Sequence, residues 1–153
     1  KINYNDYIKE YVGEKEGDII ELETGKKLGK HKGFWFHTIG QRKGLGIAFG
    51  KPTYVIGKNP DNNTLVVGSE QELMKKSLIA DDLNWISIHS LTEPIICKAK
   101  TRYRMKEQPC VVYPEAEGRV YVEFTDPQRA ITPGQRVVFY DGDIVIGGGV
   151  IVE

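Results

Sequence analysis

Most of this chain alternates apolar and polar positions with the two-residue period of a half-buried strand; only its start keeps a helical period. Tyr4, Tyr7, Ile8, Tyr11 and Val12 recur at helical spacing. They predict a short helix, with Asn3 or Asn5 as cap and Gly13 as a left-handed stop. A short strand around Ile20 and Leu22 leads into a Thr24-Gly25 turn. Residues 34–39 read as a strand between flanks too rich in glycine for any regular element. Residues 53–58 and 64–67 read as a hairpin closed by Asn59-Pro60-Asp61-Asn62-Asn63. Ser69-Glu70-Gln71-Glu72 has the form of a capping box, so a short helix is expected to about Lys76.

Beyond that point the pattern is strands and turns. Candidate strands cover residues 83–90, 94–106, 110–113, 119–124, 136–140 and 144–152. Asp141-Gly142 is a two-residue hairpin signal, and Gly147-Gly148-Gly149 predicts a bulge or sharp bend in the last strand. Six short strands favour a closed or nearly closed barrel, which removes exposed edges. The expected fold class is therefore mostly β. A small α+β domain over residues 1–76 precedes a six-stranded barrel over residues 77–153. No internal repeat or low-complexity segment interrupts this plan.

The 153 residues are 40% hydrophobic and 10% aromatic, enough to fold around one good core or two small ones. No apolar run approaches the ~20 residues that span a bilayer. No secretory leader is visible, but the first residue is Lys, so its absence says little about the parent protein. Cys97 and Cys110 form no CxxC or other metal-ligand spacing, so a reducing, cytoplasmic protein without a disulfide scaffold is expected.

Charge changes the picture. The net charge is zero, yet the signs are segregated. Between 26 and 58 lie Lys26, Lys27, Lys30, Lys32, Arg42, Lys43, Lys51 and Lys58, and no acid. Lys98, Lys100, Arg102, Arg104 and Lys106 then occupy every other position. On a strand these five would share one face, roughly 7 Å apart, with Cys97, Ala99, Thr101, Tyr103 and Met105 facing inward. A row of like charges repels itself, and a phosphate backbone would relieve the repulsion. A solvated strand kept soluble by lysine is the plainer reading. Two arginines tilt the balance toward binding, because guanidinium groups clamp phosphate in a bidentate fork. In the first island Phe34 to Phe36 stack on bases or, more ordinarily, fill a core.

Catalytic constellations are thin. Gly44-Leu45-Gly46 lacks the strand-then-helix setting of a dinucleotide fingerprint, and no GK[ST] ending marks a P-loop. His31, His37 and His89 are the only histidines, and His31 and His37, six apart, have no carboxylate between them to complete a metal site. Cys97 falls on the apolar face, which reads as a buried structural thiol. No catalytic residue, metal ligand or bound cofactor is assigned to these residues.

The run GKKLGKHKGFWFHTIGQRKGLGI, residues 25–47, resembles the G-x-x-x-G-x-H-x-G…TIGQRKGLGI signature of bacterial and organellar tRNA-specific 2-thiouridylases. KAKTRYR at 98–104, Pro109-Cys110, Asp126-Pro127, Thr132-Pro133-Gly134-Gln135, Val138-Phe139-Tyr140 and Gly147-Gly148-Gly149 are similar to that family's C-terminal order and spacing. The resemblance covers nearly the whole chain. It implies an upstream ATP-pyrophosphatase domain with an SGGxDS loop and two catalytic cysteines. There ATP with Mg would adenylate the wobble uridine 34, and a persulfide would deliver sulfur to give 2-thiouridine. It implies the transfer RNAs for Lys, Glu and Gln as partners, a sulfur-donor protein, and an elongation-factor-like barrel that helps hold the RNA. The SGGxDS loop and the cysteine motifs are missing here, so the chain is expected to be the central and C-terminal portions, inactive alone. By resemblance, the tRNA contacts fall on Arg102, Tyr103 and Gln135. The alternation of charge reaches Arg102 independently but turns Tyr103 inward. The competing expectation is a barrel that docks an acidic protein.

Overall fold

The computed structural model describes residues 4–153. The capping candidate Asn3 and the side chain of Asn5 lie outside the described residues. Helix α1 spans Tyr4–Val12 and ends at Gly13, whose φ of 77° lets its N–H return to the Lys9 carbonyl at 3.1 Å. Tyr11 and Val12 are exposed, so the helical period does not mark a core-facing stripe at this end.

Four strands follow: β1 (Gly17–Glu21), β2 (Lys27–His31), β3 (Tyr54–Asn59) and β4 (Thr64–Gly68), in the order β2-β1-β4-β3. β1 and β4 run parallel, and the β1–β2 and β3–β4 pairs are antiparallel. Ile19, Val55, Leu65 and Val67 form the buried face of this sheet. Leu45 is buried with them, and Ile39, Ile47 and Phe49 pack against the cluster. The glycine-rich run therefore works partly as a cover for the sheet. Two expectations are corrected here. Glycine did not prevent β2: Gly29 is where the Ile47 side chain presses on the strand, and a Cβ there would collide with it. Phe34–Phe36 is a single 3-10 turn rather than a strand. Three consecutive aromatics pack on one another instead of alternating faces, with ring centroids 5.1 and 5.9 Å apart.

The capping box forms as read. The Ser69 N–H donates to Glu72 Oε2 at 2.6 Å, and the Glu72 N–H donates to Ser69 Oγ at 3.3 Å. It caps only one 3-10 turn, Gln71–Leu73, and the expected helix to Lys76 is replaced by strand from Met74. Pairing of Met74 with Arg129 and Lys75 with Gln128 wins over local propensity.

Six strands then close a barrel: β5 (Met74–Trp85), β6 (Ile95–Lys100), β7 (Gln108–Pro114), β8 (Val120–Arg129), β9 (Arg136–Asp141) and β10 (Ile144–Ile151). The order is β10-β5-β8-β7-β6-β9, antiparallel throughout. Phe124, Phe139, Leu78, Ile151 and six valine or alanine neighbours on these strands are almost fully buried inside it. The triple glycine sits in β10, where register shifts flank it on both pairing partners. A Cβ on Gly148 would lie 2.6 Å from the Val137 carbonyl oxygen, so only glycine allows the strands this close. The chain divides into two compact units between Leu73 and Met74. No helix among the described residues is long and apolar enough to cross a membrane.

Candidate nucleic-acid interface

β6 begins as the alternation predicts. Cys97 and Ala99 point into the barrel, and Ile96 and Lys98 point out. On the outer face Lys98 pairs across with Tyr140 and Lys100 with Val138 of β9. The Lys100 ammonium stands 5.4 Å from the centre of the Tyr140 ring, a cation–π distance.

The expected strand to residue 106 stops at Lys100, which corrects the single row of five cations. Thr101 is buried, and its N–H and hydroxyl lie 3.2 and 3.4 Å from the Met105 sulfur. The Met105 N–H returns to the Arg102 carbonyl at 3.3 Å. Met105 is thus folded back beneath the strand end, and residues 102–104 become the tip of a turn. Arg102, Tyr103 and Arg104 are all exposed there, Tyr103 to 95%. The turn places Tyr103 beside Arg102 in solvent, which strict strand alternation does not.

Arg102 reaches sideways. Its Nη2 donates to the Ala130 carbonyl at 3.0 Å, an oxygen that also accepts from the Thr132 hydroxyl at 2.8 Å. Ala130 holds a left-handed φ of 55°, which aims this carbonyl. Two residues on, Thr132-Pro133-Gly134-Gln135 closes a turn: the Gln135 N–H donates to the Thr132 carbonyl at 3.2 Å and Gly134 has φ 88°. Proline then glycine at the two central positions is the type II pattern. The Gln135 carbonyl accepts from the Ile151 N–H at 2.8 Å, so the backbone of this residue is fixed. Its side chain is half-buried, and Oε1 is buried without a protein partner. Arg102 and the loop carrying Gln135 are thus tied together, with Tyr103 and Arg104 at the open end.

Arg136, exposed at the start of β9, was read from sequence only as a strand residue. It stands two residues before Val138, which pairs with Lys100 at the end of β6, and directly follows Gln135. Among the described residues none of Lys98, Lys100, Arg102, Arg104, Lys106 and Arg136 pairs with a carboxylate. Their field is left to solvent or to a ligand.

Two profiles match the chain: one described as a tRNA methyl transferase PRC-barrel domain over residues 5–69, the other as an aminomethyltransferase β-barrel domain over residues 75–151. A tRNA-specific 2-thiouridylase of Acetivibrio thermocellus is 54% identical over 98% of this chain, one of Clostridioides difficile 50% over 97%, and one of Halothermothrix orenii 48% over 99%. The chain belongs to the tRNA-specific 2-thiouridylase family. It spans 43%, 42% and 42% of the length of those three relatives.

Against this family background the first basic island differs from the second. Lys27 pairs with Asp18 at 2.7 Å, Lys51 with Glu21 at 2.9 Å and Lys30 with Glu16 at 3.5 Å. The Lys27 hydrogen bond holds the Asp18 carboxyl below its ordinary range, and hydrogen bonds from Thr24 and Lys51 do the same for Glu21. Three of the eight cations of that island are thus paired with acids that precede it, which spacing in sequence did not reveal. Cys97 and Cys110 face each other across β6 and β7, with sulfurs 3.8 Å apart in the barrel interior. The hydrogen bond to Cys97 and burial push the Cys110 thiol up, the reverse of what a nucleophile needs. Among the described residues no cluster of three or more His, Cys, Asp or Glu could hold a metal.

Proposed function

We propose that this chain is the RNA-holding portion of a tRNA 2-thiouridylase, and that its barrel grips tRNA through Arg102, Tyr103 and Gln135. The observation that carries the reading is the Arg102–Ala130 hydrogen bond. It joins an exposed Arg-Tyr-Arg turn to the loop that leads from Ala130 to Gln135, amid cations with no carboxylate partner among the described residues. Guanidinium groups supply phosphate contacts, the Tyr103 ring a stacking surface and the Gln135 amide a hydrogen bond to sugar or base.

In this reading the intact enzyme uses ATP with Mg and a protein persulfide to thiolate uridine 34 of the tRNAs for Lys, Glu and Gln in the cytoplasm. A sulfur-donor protein and a catalytic domain on the same polypeptide are its partners. The residues present here do not fit ATP or the persulfide, because the SGGxDS loop and the cysteine motifs are absent from the sequence. The contribution of this chain is position: it would hold the RNA so that a neighbouring domain meets the wobble base.

The test is a tRNA titration of the chain with Arg102→Ala and Gln135→Ala beside it. Each substitution should weaken binding by about 1–3 kcal/mol, the worth of a hydrogen bond to a charged or specifically read group. Binding should also fall steeply with salt as counterions are released. Unchanged affinity in both variants would remove these residues from the site. If no complex forms with tRNA at low salt, the barrel docks a protein instead, and the outward-facing Ile96, 88% exposed beside Lys98, would be its apolar anchor.

A further inference from the structure

The feature that the Arg102–Gln135 face leaves unused is the glycine-rich run over residues 25–47. It borders a cleft of about 520 Å³, lined by Lys30, His31, Lys32, Phe36 and His37 together with the bend at Gly44 and Gly46. The two histidines differ in a telling way. In His31, Nε2–H donates to the Asn63 carbonyl at 2.9 Å and Nδ1 accepts from the Gly33 N–H at 3.0 Å, so both nitrogens are engaged. A Cβ on Gly17 would overlap the Asn63 carbonyl oxygen, so the strands close tightly around this ring. His37 packs edge-on to His31 with centroids 6.0 Å apart, is 8% exposed, and has its Nδ1 buried without a partner. A buried polar atom left unpaired costs ~1–3 kcal/mol, and in a cleft wall a ligand is its natural partner. Burial, then the neighbouring His31 and Lys58, hold the His37 pKa below its ordinary value.

Other polar groups nearby are already spent. Gln41 accepts from the Thr38 N–H at 3.0 Å and donates to the Lys43 carbonyl at 2.8 Å, which braces the loop. Lys9 is bound to Glu14 at 2.8 Å, and Lys30 leans on Glu16 at 3.5 Å. Lys32 is exposed and has no carboxylate partner among the described residues.

We propose that this cleft binds one unstacked nucleotide, its base edge on His37 Nδ1 and its ring against Phe36, with its single phosphate at Lys32. The volume lies in the range of small-ligand sites, ~300–1,000 Å³. A simple anion would leave the neutral imidazole and Phe36 without a role, and an apolar ligand would leave Lys32 without one. Asp6 and Glu14 also line the cleft, so a polyphosphate is disfavoured and one phosphate fits better. That the nucleotide belongs to an RNA rests on the proposed function; a free mononucleotide has the same chemistry.

The test follows the His37 ring signals by NMR in the full chain, assigned with His37→Gln. Uridine and adenosine monophosphates, ribose 5-phosphate, inorganic phosphate and tRNA are titrated in turn. Movement with mononucleotides assigns the site to free nucleotide, and movement with tRNA alone assigns it to an RNA base. In either case Lys32→Ala, a surface change, should weaken the response ~10-fold, one charge-assisted hydrogen bond. Silence with every ligand overturns the inference, and so does an equal response to inorganic phosphate or ribose 5-phosphate. If Arg102→Ala weakens tRNA binding while His37 stays silent, the cleft fails and the barrel reading stands. If tRNA does not bind but a mononucleotide moves His37, the reverse holds.

Discussion

At the scale of single residues, Tyr103 is the side chain whose placement the fold least explains. It leaves 95% of its surface in water at the tip of a turn whose neighbour Thr101 is buried. An aromatic ring gains little for stability there, which accords with the proposed contact to RNA. In the proposed RNA complex, Tyr103→Ala should cost ~1–3 kcal/mol of tRNA affinity, the typical value of stacking on one base. Tyr103→Phe keeps the ring and should lose little. Thermal unfolding should be unchanged in both, because no packing is removed. A drop in melting temperature for Tyr103→Ala, or equal affinity across the series, would contradict a stacking role. The interior residues behave oppositely and were easier to read: alternation alone placed Cys97 inward, and it lies there against Cys110. Arg102 was legible as a cation but not as a hydrogen-bond donor to Ala130, because that contact joins residues 28 apart.

Elements were legible where pattern and pairing agree, and misread where tertiary contacts override local preference. The hairpin of β3 and β4, the five barrel strands from β6 to β10 and the glycine bulge in β10 announce themselves through alternation and turn residues, whereas the strand read over residues 83–90 is in fact β5, Met74–Trp85, and only bends follow it at 86–89. The strand read over residues 94–106 ended at Lys100 because Met105 turns under Thr101, a sulfur contact no periodicity encodes. The first three residues of β5, 74–76, looked helical because a genuine capping box stands just before them. Among the turns, Thr132–Gln135 bears most directly on the candidate interface. Gly134 holds φ 88°, and a Cβ there would meet nothing within 4 Å, so the obstacle to substitution is backbone strain and not crowding. Gly134→Ala should therefore destabilise the barrel by about 1 kcal/mol or more and tilt Gln135 away from its position. Denaturant unfolding should show the lower midpoint, and tRNA affinity should fall with it although no RNA contact is deleted. An unaltered midpoint would mean that the turn is not the type II geometry described.

At the scale of the whole molecule, two separate cores stand out, one in the four-stranded sheet and one in the barrel, with no residue in common. The barrel has its own closed ladder from β10 to β9, and every cation of the candidate interface belongs to it. We propose that the segment from Met74 onward is an autonomous domain. Its first three residues test where that domain begins. Residues 74–76 are exposed and bury little, but Met74 pairs with Arg129 and Lys75 with Gln128 at the far end of β8. A chain beginning at Met74 should unfold in one cooperative step. One beginning at Ser77 loses that end of the ladder. At ~1 kcal/mol for each net hydrogen bond, and about 4–8 °C per kcal/mol in a domain this small, it should melt ~5–15 °C lower. Gln128, buried at 8% exposure beneath this pairing, would then gain solvent. Equal melting temperatures for the two chains would show that strand β5 contributes to the barrel only from Ser77 onward. A Met74 chain that fails to fold would show that the barrel needs the preceding sheet.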